Sequence, residues 1–135
     1  MTWKSSEKIR WGILGCAAIA EKSLIPALKN ASGTELLAIA SRSATKARDW
    51  AEKFSLPKSY GSYEDLLADK EIEAVYIPLP NNLHFEWTVK ALRAGKHVLC
   101  EKPLALTASQ AMEMFDEARA NKRQLMEAFM YRFHP

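Results

Sequence analysis

Short apolar stretches alternate with longer amphipathic segments along almost the whole chain. The apolar stretches cover residues 10–15, 35–41, 74–77, 96–100 and 124–129. Stretches of this kind, bounded by glycine, proline or polar residues, are typical of parallel strands that are buried on both faces. Residues 58–61 form a shorter and more polar stretch, which is typical of an edge strand. The pattern therefore predicts six strands.

Helices are predicted between the strands, because apolar residues recur there at three- and four-residue spacing. Ser43, Ser62 and Thr107 stand where the N-caps of three helices are expected, and Asn81 or Asn82 would cap a fourth. Two apolar faces are expected to pack against the sheet. In the first helix, over residues 18–30, that face comprises Ile19, Leu24, Ala27 and Leu28. In the helix before the sixth strand it comprises Ala111, Met112, Phe115 and Ala118.

Six strands separated by helices, with short connections, predict an α/β fold with a doubly wound parallel six-stranded sheet, the Rossmann fold, in the strand order 3-2-1-4-5-6. Ligands bind such sheets at the carboxyl ends of the strands, next to the switch point between strands one and four. The polar or conformationally special residues of the chain follow strands one, two, four and five: Gly15 to Ala20, Ser41 and Arg42, Leu79 to His84, and Glu101 to Pro103.

The turn after the first strand reads G-x-A-x-x-A and is related to the dinucleotide fingerprint G-x-G-x-x-G/A. A strand, a glycine turn and a helix bring backbone N–H groups to a helix N-terminus, where a phosphate binds. A tight turn without a ligand has the same sequence, so the turn alone leaves both interpretations open. Its position beside the other three groups favours a pyrophosphate site formed by Gly15, Cys16, Ala17, Ala18, Ile19 and Ala20.

Charge and composition exclude several classes of protein. Nineteen basic and sixteen acidic residues give a net charge of +3 with the signs interspersed, which does not favour a nucleic-acid partner. No apolar stretch approaches the roughly 20 residues of a membrane span, and no signal peptide is visible, so we expect no membrane partner and a cytoplasmic location. Two strand spacings of about 4.8 Å should keep Cys16 and Cys100 apart as free thiols. No set of metal ligands is present.

Residues after the second strand bear on the choice of nucleotide. An NAD site needs a carboxylate there for the ribose hydroxyls. This chain instead has Ser41 and Arg42, followed by Lys46 one turn into the next helix. A hydroxyl and a guanidinium suit a 2′-phosphate. The sequence therefore favours NADP, with NAD the less favoured cofactor and a solvated surface arginine the alternative reading.

Five sequence segments together resemble a known family: GILGCAAIA, ASRS, PNNLHFEW, AGKHVLCEKP and MEAFMYRFHP. The chain resembles the glucose–fructose oxidoreductase/inositol dehydrogenase (Gfo/Idh/MocA) family over residues 9–135, and within it the dihydrodiol and sugar dehydrogenase branch. The resemblance implies that residues 9–135 form an NAD(P)-binding Rossmann domain, preceded by a flexible tail over residues 1–8. By this resemblance we expect the family's C-terminal substrate domain to be absent from this chain. We therefore expect the isolated chain to be inactive alone and to self-associate as a homo-oligomer.

The resemblance also implies roles for particular residues. The lysine of the Glu-Lys-Pro motif, Lys102, corresponds to the family's acid–base group, because hydride transfer at an alcohol carbon requires a proton to move at its oxygen. Glu101 would orient it, and the sequence leaves open whether the bond before Pro103 is cis or trans. Leu79, Pro80, Asn81 and His84 would lie against the nicotinamide end of the cofactor. Tyr131, Arg132 and His134 resemble family residues that face the substrate.

These expectations combine into one function. The chain is expected to be the nucleotide-binding domain of an NADP-dependent oxidoreductase, which transfers a hydride between nicotinamide and a carbinol carbon of a sugar, polyol or dihydrodiol. The alternative is a non-catalytic NADP(H)-binding module that acts as a sensor or as a subunit of a larger assembly. A scaffold without nucleotide would require the glycine turn to be a coincidence.

Overall fold

A single parallel sheet carries the described part of the chain, residues 7–129 of the computed structural model. The strands are β1 (Ile9–Leu14), β2 (Thr34–Ala40), β3 (Lys58–Tyr60), β4 (Ala74–Ile77), β5 (His97–Glu101) and β6 (Leu125–Ala128). All five strand pairs are parallel, and the order is β3-β2-β1-β4-β5-β6. The predicted fold and strand order are confirmed.

Helices cover both faces of the sheet. They are α1 (Ile25–Asn30), α2 (Ala44–Lys53), α3 (Tyr63–Ala68), α4 (His84–Arg93) and α5 (Ala108–Ala120). Adjacent residues of a strand point to opposite faces, so Ile13 packs with α1 and α2 whereas Leu14 packs with α3, α4 and α5. Within residues 7–129, no helix is long and apolar enough to cross a membrane.

The first helical segment is not the unbroken α-helix that was predicted. Ala20–Leu24 forms a π-helical turn before α1, in which the Ile25 N–H donates to the Ala20 carbonyl, five residues back. Pro26 follows at the start of α1. Because proline has no N–H and its ring crowds the carbonyl four residues earlier, a widened turn accommodates it without a break in the chain direction.

Two predicted helix faces are corrected in part. The π-helical turn adds one residue to its turn, so the buried positions of the first segment are Ala20, Ile25 and Leu28, whereas Ile19 and Ala27, both predicted to face inward, are exposed. In α5 the inward row runs through Met114, which is fully buried. Met112 and Phe115 lie on the neighbouring row and are 68% and 40% exposed. The apolar band of α5 is wide enough that sequence spacing alone does not identify its centre.

Three of the four predicted caps are confirmed. The side chains of Ser43, Ser62 and Thr107 each accept a hydrogen bond from the backbone N–H three residues later. Neither Asn81 nor Asn82 caps α4 through its side chain. A short 3₁₀ turn, Asn81–Leu83, leads into α4 instead and bonds the early N–H groups within the backbone.

The segment AGKHVLCEKP contains strand β5 and runs from the edge of the sheet where the strands begin (the amino edge) to the edge where they end (the carboxyl edge). At the amino end of β5, the buried Lys96 ammonium donates to the carbonyl oxygens of Asp69 and Ile72, both at 2.7 Å. The next residue, His97, accepts a hydrogen bond at Nδ1 from the Gln124 N–H. The first half of the motif therefore fixes the loops at the amino edge, and only its second half, from Glu101, reaches the carboxyl edge.

Candidate functional site

Four adjacent strands end at the carboxyl edge of the sheet. In sheet order these are β2, β1, β4 and β5, which end at Ala40, Leu14, Ile77 and Glu101. All four groups of residues singled out from the sequence follow these strand ends. The fold therefore brings them to one edge, around the switch point between β1 and β4.

Gly15 occupies a position that other residues do not tolerate. Its φ is +108°, and a Cβ atom there would lie 2.9 Å from Cδ2 of Leu79. Its N–H donates to the Ala40 carbonyl at 2.8 Å. The turn thus passes tightly between the end of β2 and the loop after β4, and glycine supplies both the conformation and the space.

A helix begins directly after this turn. The Ala17 carbonyl accepts hydrogen bonds from the N–H groups of Ala20, at 3.0 Å, and Glu21, at 3.3 Å. Among the turn and loop bonds of the described chain, none uses the backbone N–H groups of Cys16, Ala17, Ala18 and Ile19. These donors at a helix N-terminus form the cradle that a pyrophosphate would occupy.

Ser41, Arg42 and Lys46 lie beside that cradle, at the end of β2. Ser41 is buried; its N–H donates to the Tyr60 carbonyl at 3.0 Å, and its Oγ accepts from the Ser43 N–H at 3.1 Å. Arg42 and Lys46 are exposed. A fixed hydroxyl is therefore flanked by two exposed cations, and no carboxylate occurs between β2 and the second turn of α2.

Lys46 lies close enough to Cys16, and Arg42 close enough to Tyr63, to change the pKa of each neighbour. Burial raises the pKa of the Cys16 thiol, whereas the Lys46 ammonium and a hydrogen bond with Ser41 lower it. Burial also raises the pKa of Tyr63, and the Arg42 guanidinium lowers it. Tyr63 was not identified from the sequence; it is the first residue of α3 and lies next to the candidate phosphate-binding arginine.

At the end of β5, Lys102 is exposed, and its ammonium has no hydrogen-bond or ion-pair partner within residues 7–129. Its backbone N–H donates to Oε2 of Glu101 at 3.3 Å. The bond between Lys102 and Pro103 is cis, one of the two alternatives that the sequence left open. The lysine side chain is therefore free to meet a ligand at the carboxyl edge.

Glu101 is held by a buried tyrosine that sequence reasoning assigned only to a strand. The Tyr76 hydroxyl donates to Oε1 of Glu101 at 2.5 Å. Burial and, next, the Glu101 carboxylate raise the pKa of this phenol well above its ordinary value. Tyr76 pairs with Leu99, two residues before Glu101, so both side chains project from the same face of the sheet.

The His84 ring faces the protein backbone. It is fully buried, with Nδ1 2.7 Å from the Pro103 carbonyl oxygen and Nε2 2.7 Å from the Leu79 carbonyl oxygen. That His84 lies against the nicotinamide end of the cofactor stays a prediction, and both polar atoms of the ring are already paired with backbone oxygens. Pro80 and Asn81, which precede it, are exposed at the edge of the sheet.

Other predicted residues have simpler outcomes. Cys16 and Cys100 are free thiols, as predicted, and burial raises the pKa of Cys100 to about 12. The substrate-side candidates Tyr131, Arg132 and His134 lie outside the described residues. No cluster of three or more potential metal-ligating side chains occurs in the described part of the chain.

The donors at this edge fit an anionic dinucleotide. They comprise backbone N–H groups at a helix N-terminus, a fixed hydroxyl and two cations, with the exposed ammonium of Lys102 in addition. An apolar groove of about 380 Å³ lies beside Glu101, between Ile19 and Met126. The site can therefore bind phosphate groups at one end and offers apolar surface and a proton-bearing side chain at the other.

Known proteins share this chain's sequence and fold. D-xylose 1-dehydrogenase (NADP(+)) 2 of Haloferax volcanii is 53% identical over 125 residues, which cover 93% of this chain and 38% of the relative. Trans-1,2-dihydrobenzene-1,2-diol dehydrogenase of Mus musculus is 39% identical over 129 residues, 94% of this chain and 38% of the relative. The chain spans about two fifths of the length of these relatives.

A solved structure and a family model agree with these matches. The crystal structure of KijD10, a 3-ketoreductase from Actinomadura kijaniata in complex with TDP-benzene and NADP, superposes with a TM-score of 0.92 at 46% identity, and the match covers 96% of this chain and 40% of that one. The model of the Gfo/Idh/MocA oxidoreductase family, NAD-binding Rossmann fold, matches residues 9–129. The chain belongs to the NAD-binding Rossmann domains of this oxidoreductase family.

Proposed function

We propose that this chain is the NADP(H)-binding domain of an oxidoreductase that acts on a carbinol carbon of a sugar, a polyol or a dihydrodiol. The observation that carries the proposal is the position of Ser41, Arg42 and Lys46 beside the Gly15 turn, in a segment after β2 that has no Asp or Glu before Asp49. The name of the Haloferax volcanii relative includes NADP, and KijD10 was crystallised in complex with NADP; both support the choice of nucleotide. The relatives named for xylose and dihydrobenzenediol support the substrate class.

Each group has a distinct task in this proposal. The N–H groups from Cys16 to Ile19 bind the pyrophosphate, and Arg42 and Lys46 bind the 2′-phosphate with Ser41. The bound cofactor supplies or accepts the hydride. Lys102 gives a proton to the substrate oxygen or takes one from it, since its ammonium has no partner in the described chain. Tyr76 holds Glu101, and Glu101 holds the backbone of Lys102.

Nucleotide titrations test the proposal directly. We expect NADPH to bind the chain at least about 10-fold more tightly than NADH, because a charge-assisted hydrogen bond to the 2′-phosphate contributes roughly 1.5–3 kcal/mol. Isothermal titration with the two reduced cofactors measures this ratio, and adenosine 2′,5′-bisphosphate against AMP isolates the 2′-phosphate. Equal affinities would contradict the NADP assignment, and the absence of binding by either nucleotide would contradict the dinucleotide site.

We also propose that the chain self-associates through exposed apolar surface. Leu106 and Met112 are more than half exposed on the loop before α5 and on α5 itself, and Met126 is half-exposed on β6. Large apolar side chains exposed on the surface of a domain favour association. Light scattering after size exclusion should therefore give a mass that rises from monomer with concentration. A monomer mass at every concentration up to about the millimolar range would contradict it.

A further inference from the structure

His84 faces two hydrogen-bond acceptors and no donor. The oxygens of Pro103 and Leu79 lie 2.7 Å from Nδ1 and Nε2, respectively, and the ring is fully buried. A neutral imidazole carries one N–H, and its other nitrogen is an acceptor. A neutral ring here would point one nitrogen lone pair at a carbonyl oxygen 2.7 Å away, a distance that leaves no room for an intervening atom. A ring with both nitrogens protonated satisfies both contacts.

A carboxylate lies on the other side of the same peptide group. The Leu104 N–H donates to Oε2 of Glu127 at 2.6 Å. The Pro103 carbonyl and the Leu104 N–H belong to one peptide unit, so this peptide lies between the His84 ring and the Glu127 carboxylate. A positive charge at its oxygen and a negative charge at its N–H polarise it in the same direction, and each hydrogen bond strengthens the other.

His97 provides an internal contrast. Its Nδ1 accepts a hydrogen bond from the Gln124 N–H at 2.9 Å, which requires an unprotonated Nδ1. Burial, and then the charge of Arg123, lower the pKa of His97. The two histidines are therefore held by opposite sets of partners, His97 by a donor and His84 by two acceptors.

We propose that His84 is a doubly protonated imidazolium, which clamps the Pro103–Leu104 peptide together with Glu127 and thereby positions Lys102. The clamp joins the loop after β4, the turn after β5 and strand β6 directly beneath the Glu-Lys-Pro turn. Charged side chains on the ring's own helix and on adjoining elements include Glu86 and Lys90 on α4, Glu101 and Lys102 at the end of β5, and Glu127 on β6. Within residues 7–129 none of them bonds to the ring, whose partners are the two carbonyl oxygens. His84 and Glu127 are positioning residues, and their effect on Lys102 rests on the proposed function.

Nitrogen NMR of the unmodified chain tests the protonation state without any nucleotide. Long-range ¹H–¹⁵N correlation at pH 7 should show both His84 nitrogens in the protonated range, and His97 with one protonated and one unprotonated nitrogen. His97→Gln and His134→Gln assign the three histidines. An unprotonated nitrogen on His84 would overturn the inference. The decisive spectrum is that of the unmodified chain, and the two variants serve only to assign its signals.

Glu127→Gln tests the coupling across the peptide. Glutamine still offers an oxygen to the Leu104 N–H but removes the charge. In the spectrum of Glu127→Gln at pH 7, one His84 nitrogen should therefore move to the unprotonated range, whereas the unmodified chain keeps both nitrogens in the protonated range. Glu71→Gln is the matched control, because Glu71 is an exposed carboxylate that pairs with Lys58, near the amino edge. An unchanged His84 spectrum in Glu127→Gln would overturn the clamp.

The effect on Lys102 is measured in the full-length gene product. Glu127→Gln should lower kcat by at least about 10-fold with a smaller change in KM, since displacement of a reacting group slows the chemical step. An unchanged kcat would overturn the positioning role. A failure of the unmodified chain to bind NADPH would instead contradict the proposed function. The protonation state of His84 would still be decided by the nitrogen NMR spectrum alone.

Discussion

Lys102→Met should lower kcat at least about 100-fold in the full-length gene product, the effect typical of the loss of a general acid–base group. The substitution keeps most of the length of the side chain and removes the proton that, in the proposed function, the substrate oxygen exchanges. The dissociation constant of NADPH should change much less, because the proposed phosphate sites lie at the Gly15 turn and at Arg42. Stopped-flow turnover and NADPH titration on the same protein measure the two quantities.

Stability should also be nearly unchanged by this substitution. Lys102 is exposed, and its ammonium bonds to no side chain or carbonyl within residues 7–129, so methionine breaks no contact. Lys70→Met is the matched control, since Lys70 is likewise exposed and precedes β4 at the amino edge. A loss in NADPH affinity or in Tm as large as the loss in kcat would show that Lys102 anchors the cofactor or the fold instead.

Strand order and the location of the site were predictable because they depend on pattern and topology. Apolar stretches separated by amphipathic segments allow few arrangements other than a doubly wound sheet, and the carboxyl ends of its central strands meet at one edge. Ser41 and Lys102 could be placed at that edge from the sequence for this reason alone. Neither placement requires knowledge of side-chain packing.

Details that depend on contacts distant in sequence were not predictable in the same way. His84 follows a strand, as expected, but its ring direction is decided by the carbonyl of Pro103, 19 residues later. The Pro26 position gave a usable signal that the first helix is irregular, since proline rarely continues an α-helix. The predicted helix faces differ from the observed ones where a π-helical turn or a wide apolar band makes the sequence spacing ambiguous.

The contact between Tyr76 and Glu101 was missed, although the sequence contains a signal that predicts it. Tyr76 lies in AVYI, a stretch buried on both faces, and a buried phenol needs a hydrogen-bond partner. The partner had to come from a neighbouring strand at a position on the same face, and Glu101 meets that condition once β4 and β5 are paired. Pairing of buried polar atoms across predicted strands would therefore have identified this contact.

Arg42→Ala should weaken NADPH binding by about 10- to 150-fold, which corresponds to the roughly 1.5–3 kcal/mol of a hydrogen bond to a charged group. NADH has no 2′-phosphate, so its affinity should remain nearly unchanged. Arg42 lies beside Tyr63 at the end of β2, in the position that an NAD site gives to a carboxylate. Isothermal titration of both cofactors at one fixed ionic strength measures the two losses.

Two further variants make the comparison specific. Arg42→Lys keeps the charge but loses the planar fork of donors, so the loss in NADPH affinity should fall between those of the unmodified chain and Arg42→Ala. Arg48→Ala removes the same charge from an exposed position on α2 and should leave both cofactors nearly unaffected. If Arg42→Ala weakens NADPH and NADH equally, the guanidinium contacts a part that the two cofactors share. The assignment of Arg42 to the 2′-phosphate would then be wrong. Lys46 and Ser41 would be the next residues to test as ligands of the 2′-phosphate.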